Sequence, residues 1–235
     1  MAPSRQLVDL PYARHLRAFD GPLAEGGDYD AVQLDGVDFD GADCRDARFL
    51  ECAFSAVTFT GGRLRGTRFN DVWLDGVRWV GTDLAATDWL DAELIGCVLA
   101  GLETFGAKLH RVTFHRCKFE SVNLRTATLR EVTFTDCLLR DVDFGEATLT
   151  RVEFPGSALE GVRFAGARME ATDLRDATRL EIADGHDALR GSVITGAQLL
   201  ELAPMFADVL GVRVEDTGSG SGTARRTSGG RGGRG

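Results

Sequence analysis

The chain of 235 residues has no uninterrupted apolar run near the roughly 18 residues that a transmembrane helix needs. Residues 1–21 contain no apolar core of the signal-peptide type, which predicts a protein that stays in the cytoplasm. Five cysteines in such a chain predict reduced thiols rather than a disulfide framework. The sequence also lacks a P-loop, a dinucleotide-binding GxGxxG context and a nucleophile elbow, which argues against catalysis.

What the sequence does contain is a large apolar residue at every fifth position. Of the 30 positions counted by fives from Tyr29 to Leu174, 28 are Leu, Phe, Tyr, Trp or Met; the exceptions are Cys44 and Thr104. A second column, two residues before each of these from Val32 onward, is small or β-branched everywhere except at Leu102. A helix would spread residues five apart around its surface, and a strand would place them on alternate faces.

The period becomes sensible if five residues form one side of a four-sided coil. Both columns then point inward, and the other three residues of each unit face outward or form the corner. Gly, Asp or Ser often follows the outward position, as at Gly36, Gly61 and Asp136, and these residue types suit turns.

The units VDFDG (37–41), TDLAA (82–86), VNLRT (122–126) and ATDLRDA (171–177) resemble those of pentapeptide-repeat proteins, whose consensus is A(D/N)LXX. The resemblance covers about residues 27–178. It implies an all-β fold, the family's right-handed quadrilateral β-helix, with four units per coil. The 30 units would make about seven and a half coils, and at roughly 4.8 Å per coil the rod would be about 36 Å long.

This geometry predicts that residues 20 apart stack on one another. Four continuous apolar ladders result, which begin at Leu34, Phe39, Cys44 and Phe49. Thr104 is the one misfit. We therefore expect a local bulge or kink there, with Leu102 or Phe105 taking the inward place.

Both ends of such a rod need covers, because an open end exposes apolar residues and unpaired strand edges. Residues 1–26 are predicted to form an N-terminal cap and residues 179–216 a C-terminal cap with a helix at about 196–210. Thr195 and Gln198 fit a capping box at its start, and Pro204 is expected to kink or divide the helix. The tail, residues 217–235, cannot build a core and is predicted to be disordered.

The C-terminal helix is the first candidate interface, since the resemblance implies that such helices can pair two rods end to end as a homodimer. The same apolar stripe would also serve if it only capped the last coil. The candidate dimer residues are Leu199, Leu202, Phe206 and Leu210.

Two groups of residues could suggest chemistry. Cys97, Cys117 and Cys137 are 20 apart and should stack inside the rod, where a column of small residues explains them better than a metal site. His110 and His115 face outward, and Glu120 or Asp136 could pair with them, but no nucleophile or pocket is evident. We predict no cofactor, no metal and no catalytic residue.

The resemblance implies a second candidate function, and the charge of the chain agrees with it. Some pentapeptide-repeat proteins bind type II topoisomerases such as DNA gyrase, protect them from inhibitors, and resemble B-form DNA in width and negative charge. The net charge is −9, and residues 1–216, without the tail's four arginines, carry −13. The candidate acidic surface comprises Asp35, Asp38, Asp40, Asp43, Asp83, Asp88 and Asp91.

The amount and distribution of charge weaken the case for DNA mimicry. A duplex of about 36 Å carries roughly 21 negative charges, whereas residues 27–178 net −9. The sign also alternates along the axis, and residues 104–130 carry +5.

Apolar residues at outward positions form the remaining candidate surface. They either mark a contact with a partner or are covered by a terminal segment; they are Trp73, Val80, Leu90, Ile95 and Val98. The sequence thus predicts a non-catalytic scaffold that acts by protein–protein interaction, with a DNA-mimicking binder of DNA gyrase as the alternative. An acidic chain without basic patches interleaved with aromatic residues argues against direct nucleic-acid binding.

Overall fold

The computed structural model describes residues 4–215, and its repeat region is a right-handed, all-parallel β-solenoid of about eight turns. Most strands pair with the strand 20 residues further on; the exceptions are Arg17–Ala18, 15 residues from its partner, and Ala158–Arg163, which pairs with Arg179–Asp184 mostly 21 residues on through a register shift. Leu34 pairs with Phe54, Phe54 with Leu74, and Leu94 with Phe114. The predicted fold class and the predicted stacking interval are both confirmed.

The four sides are named here by their inner ladders, which begin at Leu34 (side 1), Phe39 (side 2), Cys44 (side 3) and Tyr29 (side 4). Sides 4 and 1 belong to one sheet because two longer strands run round the corner between them, and side 2 is a separate sheet. Side 3 is held by single-residue bridges such as Asp43 to Arg63. The strands of side 1 are Arg17–Ala18, Val32–Asp35, Ala53–Ser55, Trp73–Asp75, Glu93–Ile95, Thr113–His115, Thr172–Asp173 and Ser192–Val193; those of side 4 are Asp28–Asp30, Arg48–Leu50, Arg68–Asn70, Asp88–Leu90, Lys108–His110 and Arg168–Glu170; Thr128–Thr135 and Thr148–Glu153 span both; those of side 2 are Asp38–Asp40, Thr58–Thr60, Arg78–Val80, Val98–Ala100, Lys118–Glu120, Leu138–Arg140, Ala158–Arg163 and Arg179–Asp184.

Each corner is made by one residue with a left-handed backbone. Every fifth residue from Ala31 to Ala171 has a φ between 50° and 72°. Glycine adopts this conformation without a steric penalty, and Gly61 is one example, whereas other residues pay about 1 kcal/mol or more. The corner N–H donates to the next coil, as from Arg111 to the carbonyl of Arg130 at 3.0 Å. The turn chemistry expected from the sequence therefore occupies one fixed position of the repeat.

The interior is a set of stacked side chains without a wide lumen. Phe134 is fully buried between Phe114 and Phe154, with ring centroids 4.9 and 5.0 Å apart. Cys117 and Cys137 lie in the neighbouring inner column, and the Cys117 N–H lies 3.4 Å from the Cys137 sulfur. Burial raises the pKa of the Cys117 thiol, which keeps it protonated.

The expected bulge at Thr104 is wrong. Glu103 bridges Asp83 and Asn123 in the regular register, and the Thr104 hydroxyl donates to the Asn123 carbonyl at 2.7 Å. Leu102 is buried in its own inner column, and Phe105 stays outside, 37% exposed. Because the threonine satisfies its hydroxyl inside the coil, the backbone has no need to distort; only a small internal cavity of about 30 Å³ remains nearby.

The N-terminal residues do more than close the end of the rod. Residues 17–27 cover the first coil: Arg17 pairs with Val32, and Phe19 packs edge-on against Tyr29 at 5.2 Å. Residues 5–16, called the N-terminal segment below, instead run along side 1, with short 3₁₀ helices at Leu7–Asp9 and Ala13–His15. The single cap predicted for residues 1–26 is therefore divided: one part covers the end of the rod and the other lies along side 1.

The C-terminal end is closed by a 3₁₀ helix, His186–Leu189, and by the helix α1, Gly196–Val209. The predicted capping box forms between Thr195 and Gln198, and the Gln198 side chain also donates to the Leu174 carbonyl at 2.7 Å. Pro204 lies inside the helix without dividing it. The predicted disordered tail lies outside the described residues.

Candidate functional site

The helix α1 has one face on the rod and one face in solvent. Leu202 is 1% exposed and Phe206 packs partly buried against the core, so these two candidate dimer residues cap the last coil. Leu199 and the C-cap residue Leu210 are 49% and 76% exposed, and Leu200, next to Leu199 in the chain, is 76% exposed. The predicted stripe is thus split, and an apolar surface remains open at the C-terminal end of the rod.

The candidate apolar interface on the sides of the rod is not one surface. Trp73 and Ile95 lie on side 1 and are 5% and 6% exposed, because Leu10 and Tyr12 of the N-terminal segment cover them. The Trp73 indole N–H donates to the Arg5 carbonyl at 3.2 Å. The sequence left open whether these residues contact a partner or are covered by a terminal segment. For Trp73 and Ile95, coverage by a terminal segment is correct.

The other three members of that set are separated from the pair. Val80 and Val98 lie on side 2, where Val80 is 39% exposed, and Leu90 is half-buried on side 4. The sequence places them within two coils, but the four-sided coil points them in different directions.

The seven candidate acidic residues are also distributed around the rod. Asp35 lies on side 1, Asp38 and Asp40 on side 2, Asp43 and Asp83 on side 3, and Asp88 and Asp91 on side 4 or its corner. Three of them are ion-paired: Asp43 with Arg45 and Arg63, Asp83 with Arg65, and Asp91 with Arg111. A single continuous acidic face does not result from them.

A feature that the sequence did not indicate is an open groove of about 880 Å³ on side 1. It begins beside Arg5 of the N-terminal segment and follows the same side toward the C-terminal end. Its floor carries Thr113, Thr133 and Thr135, and Glu153 and Asp176 lie at its far end. The N-terminal segment and the groove therefore divide side 1 between them.

The junction between segment and groove is built on a buried carboxylate. Glu93 is 5% exposed and accepts hydrogen bonds from the backbone N–H of Arg5 at 2.9 Å and from its guanidinium at 2.6 Å. The Nε2 atom of His115, which is 8% exposed, lies 3.5 Å from Glu93. Burial lowers the pKa of His115, and the nearby Glu93 carboxylate only partly opposes this effect.

The histidine partners suggested by the sequence were wrong. His115 pairs with Glu93 rather than with Glu120 or Asp136, and His110 lies 3.9 Å from Glu131. A repeat gives no information on such contacts, because the residues between the inner columns follow no rule.

The edge of the groove on the side 4 corner is a row of acids. Arg111 donates to both oxygens of Asp91 at 2.6 Å, and these hydrogen bonds lower the pKa of Asp91. Asp71 makes no ion pair with any residue from 4 to 215. Partial burial, together with the neighbouring Asp91, raises its pKa.

The groove offers carboxylates, threonine hydroxyls and one histidine to a ligand. Among residues 4–215, no group of three or more His, Cys, Asp or Glu side chains is arranged to hold a metal ion. No helix in this range is long and apolar enough to cross a membrane. Residues 4–215 thus form a capped parallel β-solenoid with two open surfaces, a polar groove and an apolar end.

Comparison with known proteins agrees with this class. Two family models match the chain: Pentapeptide repeat region over residues 87–164 and Pentapeptide repeats (8 copies) over residues 33–71. The chain belongs to the pentapeptide-repeat proteins. A search of curated proteins gave no match.

A solved structure of this family shares the fold. A trypsin-treated variant of QnrB1, described as a plasmid-mediated fluoroquinolone resistance protein, aligns with a TM-score of 0.55 and 16% identity over 84% of this chain and 96% of that one. HetL, a protein involved in heterocyst differentiation regulation from the cyanobacterium Nostoc sp. strain PCC 7120, aligns with a TM-score of 0.42 and 18% identity over 72% and 90%. At 16% identity the QnrB1 alignment shows the fold alone.

Proposed function

We propose that this chain is a non-catalytic scaffold in which two rods join end to end through α1 and present their outer residues to another protein. The exposed apolar surface of α1 is the observation that supports this most directly. Leu199, Leu200 and Leu210 are 49–76% exposed there, although the helix already seats Leu202 in the rod. An open apolar patch of this kind is typical of an interface.

Pairing of a second copy would cover this end of the rod. A two-fold axis brings the same patch of each chain together, so one exposed helix face suffices for a dimer. The resulting object is a double-length rod whose sides stay available to a partner. All five cysteines are buried and free, as the proposed cytoplasmic location requires.

The test is the oligomeric state measured by light scattering. We expect a dimer for the natural chain and a monomer for the double variant Leu200→Glu/Leu210→Asp, whose sites are both 76% exposed and make little contact with the rod. Phe206→Asp is less suitable, since Phe206 also packs on the core. Val80→Asp, on side 2, is the matched control and should remain dimeric.

A monomeric natural chain at micromolar concentration would refute the end-to-end pairing. A dimer that survives the double variant would place the interface elsewhere on the rod.

The second candidate is a DNA-mimicking binder of DNA gyrase that protects it from inhibitors. Its support is the net charge of −13 on residues 1–216, together with the shared fold of a fluoroquinolone resistance protein. Asp35, Asp38 and Asp40 are exposed, form no ion pair within residues 4–215, and lie on adjoining sides of the first coil. They are the acidic residues best placed for such a contact.

Gyrase supercoiling and inhibitor-protection assays with the purified protein test this candidate. A real contact through the first coil predicts that Asp35→Asn/Asp38→Asn/Asp40→Asn loses the effect, while Glu120→Gln/Glu170→Gln keeps it. Unchanged supercoiling and no protection at micromolar protein would exclude gyrase as the partner.

A further inference from the structure

We propose that the groove on side 1 binds an extended peptide segment that carries arginine or lysine side chains. The segment would lie along the rod, in line with residues 5–16. This inference rests on the proposed scaffold role, because it names the chemistry of a partner, but it concerns a surface separate from α1.

The geometry of side 1 sets the shape of the occupant. The N-terminal segment covers Ala53, Trp73 and Ile95 with Arg5 beside the groove, and the groove continues over the next rungs of the same side. The open rungs are those of Thr113, Thr133 and Glu153. At roughly 4.8 Å per rung they span about 15 Å, the length of some four to five extended residues.

The charges along the groove set the chemistry of the occupant. Glu93 and Asp91 are already paired with Arg5 and Arg111. Asp71, Glu153 and Asp176 line the groove and make no ion pair with any residue from 4 to 215. Two of these uncompensated carboxylates lie at the far end and one at the near end, so a cationic segment gains a partner at each end.

Asp71 shows the effect of this missing compensation. Partial burial and the neighbouring Asp91 raise its pKa, and Arg111 and Arg5, which are paired with Asp91 and Glu93, only partly oppose this rise. A guanidinium or ammonium group placed beside it would stabilise its charged form.

The floor of the groove gives a second, independent indication of a ligand. Thr135 is only 4% exposed and lines the groove, yet its hydroxyl makes no hydrogen bond to a residue in the described range 4–215. The hydroxyl oxygen can still be reached from the groove, so a hydrogen-bonding ligand lying there can pair with it. A peptide backbone lying in the groove presents both N–H and C=O groups to this hydroxyl.

The same observations exclude the other large class of ligand. A nucleic acid would bring its phosphates against Asp71, Glu153 and Asp176, and this repulsion has no basic residue in the groove to offset it beyond the two arginines already paired. A cationic peptide is therefore the occupant that the charges favour.

The test is a titration of the full-length protein with a short, acetylated, fluorescent peptide of alternating arginine and glycine, followed by anisotropy. We expect saturable binding that weakens as salt is added, because the contact is electrostatic. The double variant Asp71→Asn/Glu153→Gln should weaken binding by at least about tenfold, which corresponds to about 1.4 kcal/mol.

Glu120→Gln/Glu170→Gln is the matched control. It removes the same formal charge from two exposed acids on sides 2 and 4 that also form no ion pair within residues 4–215, and it should change affinity by less than about threefold. Thr135→Val tests the floor: weaker binding of the peptide at unchanged net charge is expected. Circular dichroism establishes that each variant is folded.

An equal loss in the two double variants would overturn the proposal, because it would mean attraction to the net charge alone. Absence of binding by the natural chain would overturn it as well. The titration is repeated with Leu200→Glu/Leu210→Asp: retained peptide binding in a monomer separates this site from the dimer, so either proposal can fail without the other.

Discussion

The two halves of side 1 have the same interior and opposite exteriors. In the covered half, the outer residues Ala53, Trp73 and Ile95 are apolar and lie under the N-terminal segment. In the open half, Thr113 and Thr133 take the positions of Ala53 and Trp73, Thr135 takes that of Ile95, and all three line the groove. The inner ladder passes through both halves in unbroken 20-residue register. The repeat therefore builds the rod without regard to what its outer side meets.

This difference shows where information about partners resides. The inner columns need only local periodicity, because each coil packs on its neighbours. The outer surface of the covered half needs a contact between Arg5 and Glu93, which are 88 residues apart. Contacts between residues far apart in the sequence therefore decide which outer residues a partner can reach.

The largest expected effect comes from a substitution in the inner ladder, which both halves of side 1 share. Phe134→Ala should lower the free energy of unfolding by about 3–5 kcal/mol, since it removes a fully buried ring from the middle of a stack. Phe54→Ala, under the covered half, should cost a similar amount. Denaturant unfolding measures both.

Phe105→Ala is the control for these core variants. This ring is 37% exposed and lies 5.0 Å from the Arg65 guanidinium, so its loss should cost about 1 kcal/mol or less. A loss at Phe134 no larger than that at Phe105 would contradict the stacked interior.

An intermediate effect should separate the two halves. Trp73→Ala removes the side chain on which Leu10 and Tyr12 pack and the hydrogen bond to the Arg5 carbonyl. We expect a loss of about 3 kcal/mol, the lower end for a buried tryptophan because the N-terminal segment can detach alone. Hydrogen exchange should quicken at residues 5–16 and stay slow at Leu129 on side 4.

Uniform acceleration of exchange along the rod would show instead that the segment and the solenoid open together. Val80→Ala, an exposed position on side 2, provides the baseline and should leave exchange in residues 5–16 unchanged.

The smallest expected effect concerns the junction of the halves. Burial gives His115 a lower pKa in the folded chain than in the unfolded one, so the unfolded chain takes up the proton first as pH falls. The contribution of the neutral imidazole to stability is complete above about pH 7 and is lost as the pH falls from there through the lowered pKa. The Tm of the natural chain should drop by a few degrees at most over this window.

His115→Gln should flatten that part of the Tm profile. Asp43 and Asp91 do not interfere, because arginine partners lower their pKa and their contributions are lost only at more acid pH. Parallel profiles of the two proteins between neutral and mildly acid pH would show that His115 does not titrate with unfolding.

Much of the candidate surface could not be predicted from the sequence. The capping box of α1 could be predicted, because Thr195 and Gln198 are three residues apart and form a local motif. The division of the apolar stripe of α1 could not be predicted. The exposure of Leu210 and the burial of Leu202 depend on how the helix packs on the last coil, where Gln198 bonds to the Leu174 carbonyl. The groove gave no sequence signal at all.

The sequence by itself determined the interior of this protein, its corners and its family. A five-residue period that places Phe114, Phe134 and Phe154 in one stack leaves few alternatives, because any shift of register exposes a whole ladder. Only the tertiary structure decided which outer residues are available. The N-terminal segment buries Trp73 and Ile95 and bonds to Glu93 through Arg5, and no periodic rule links a segment outside the repeat to the rungs that it covers.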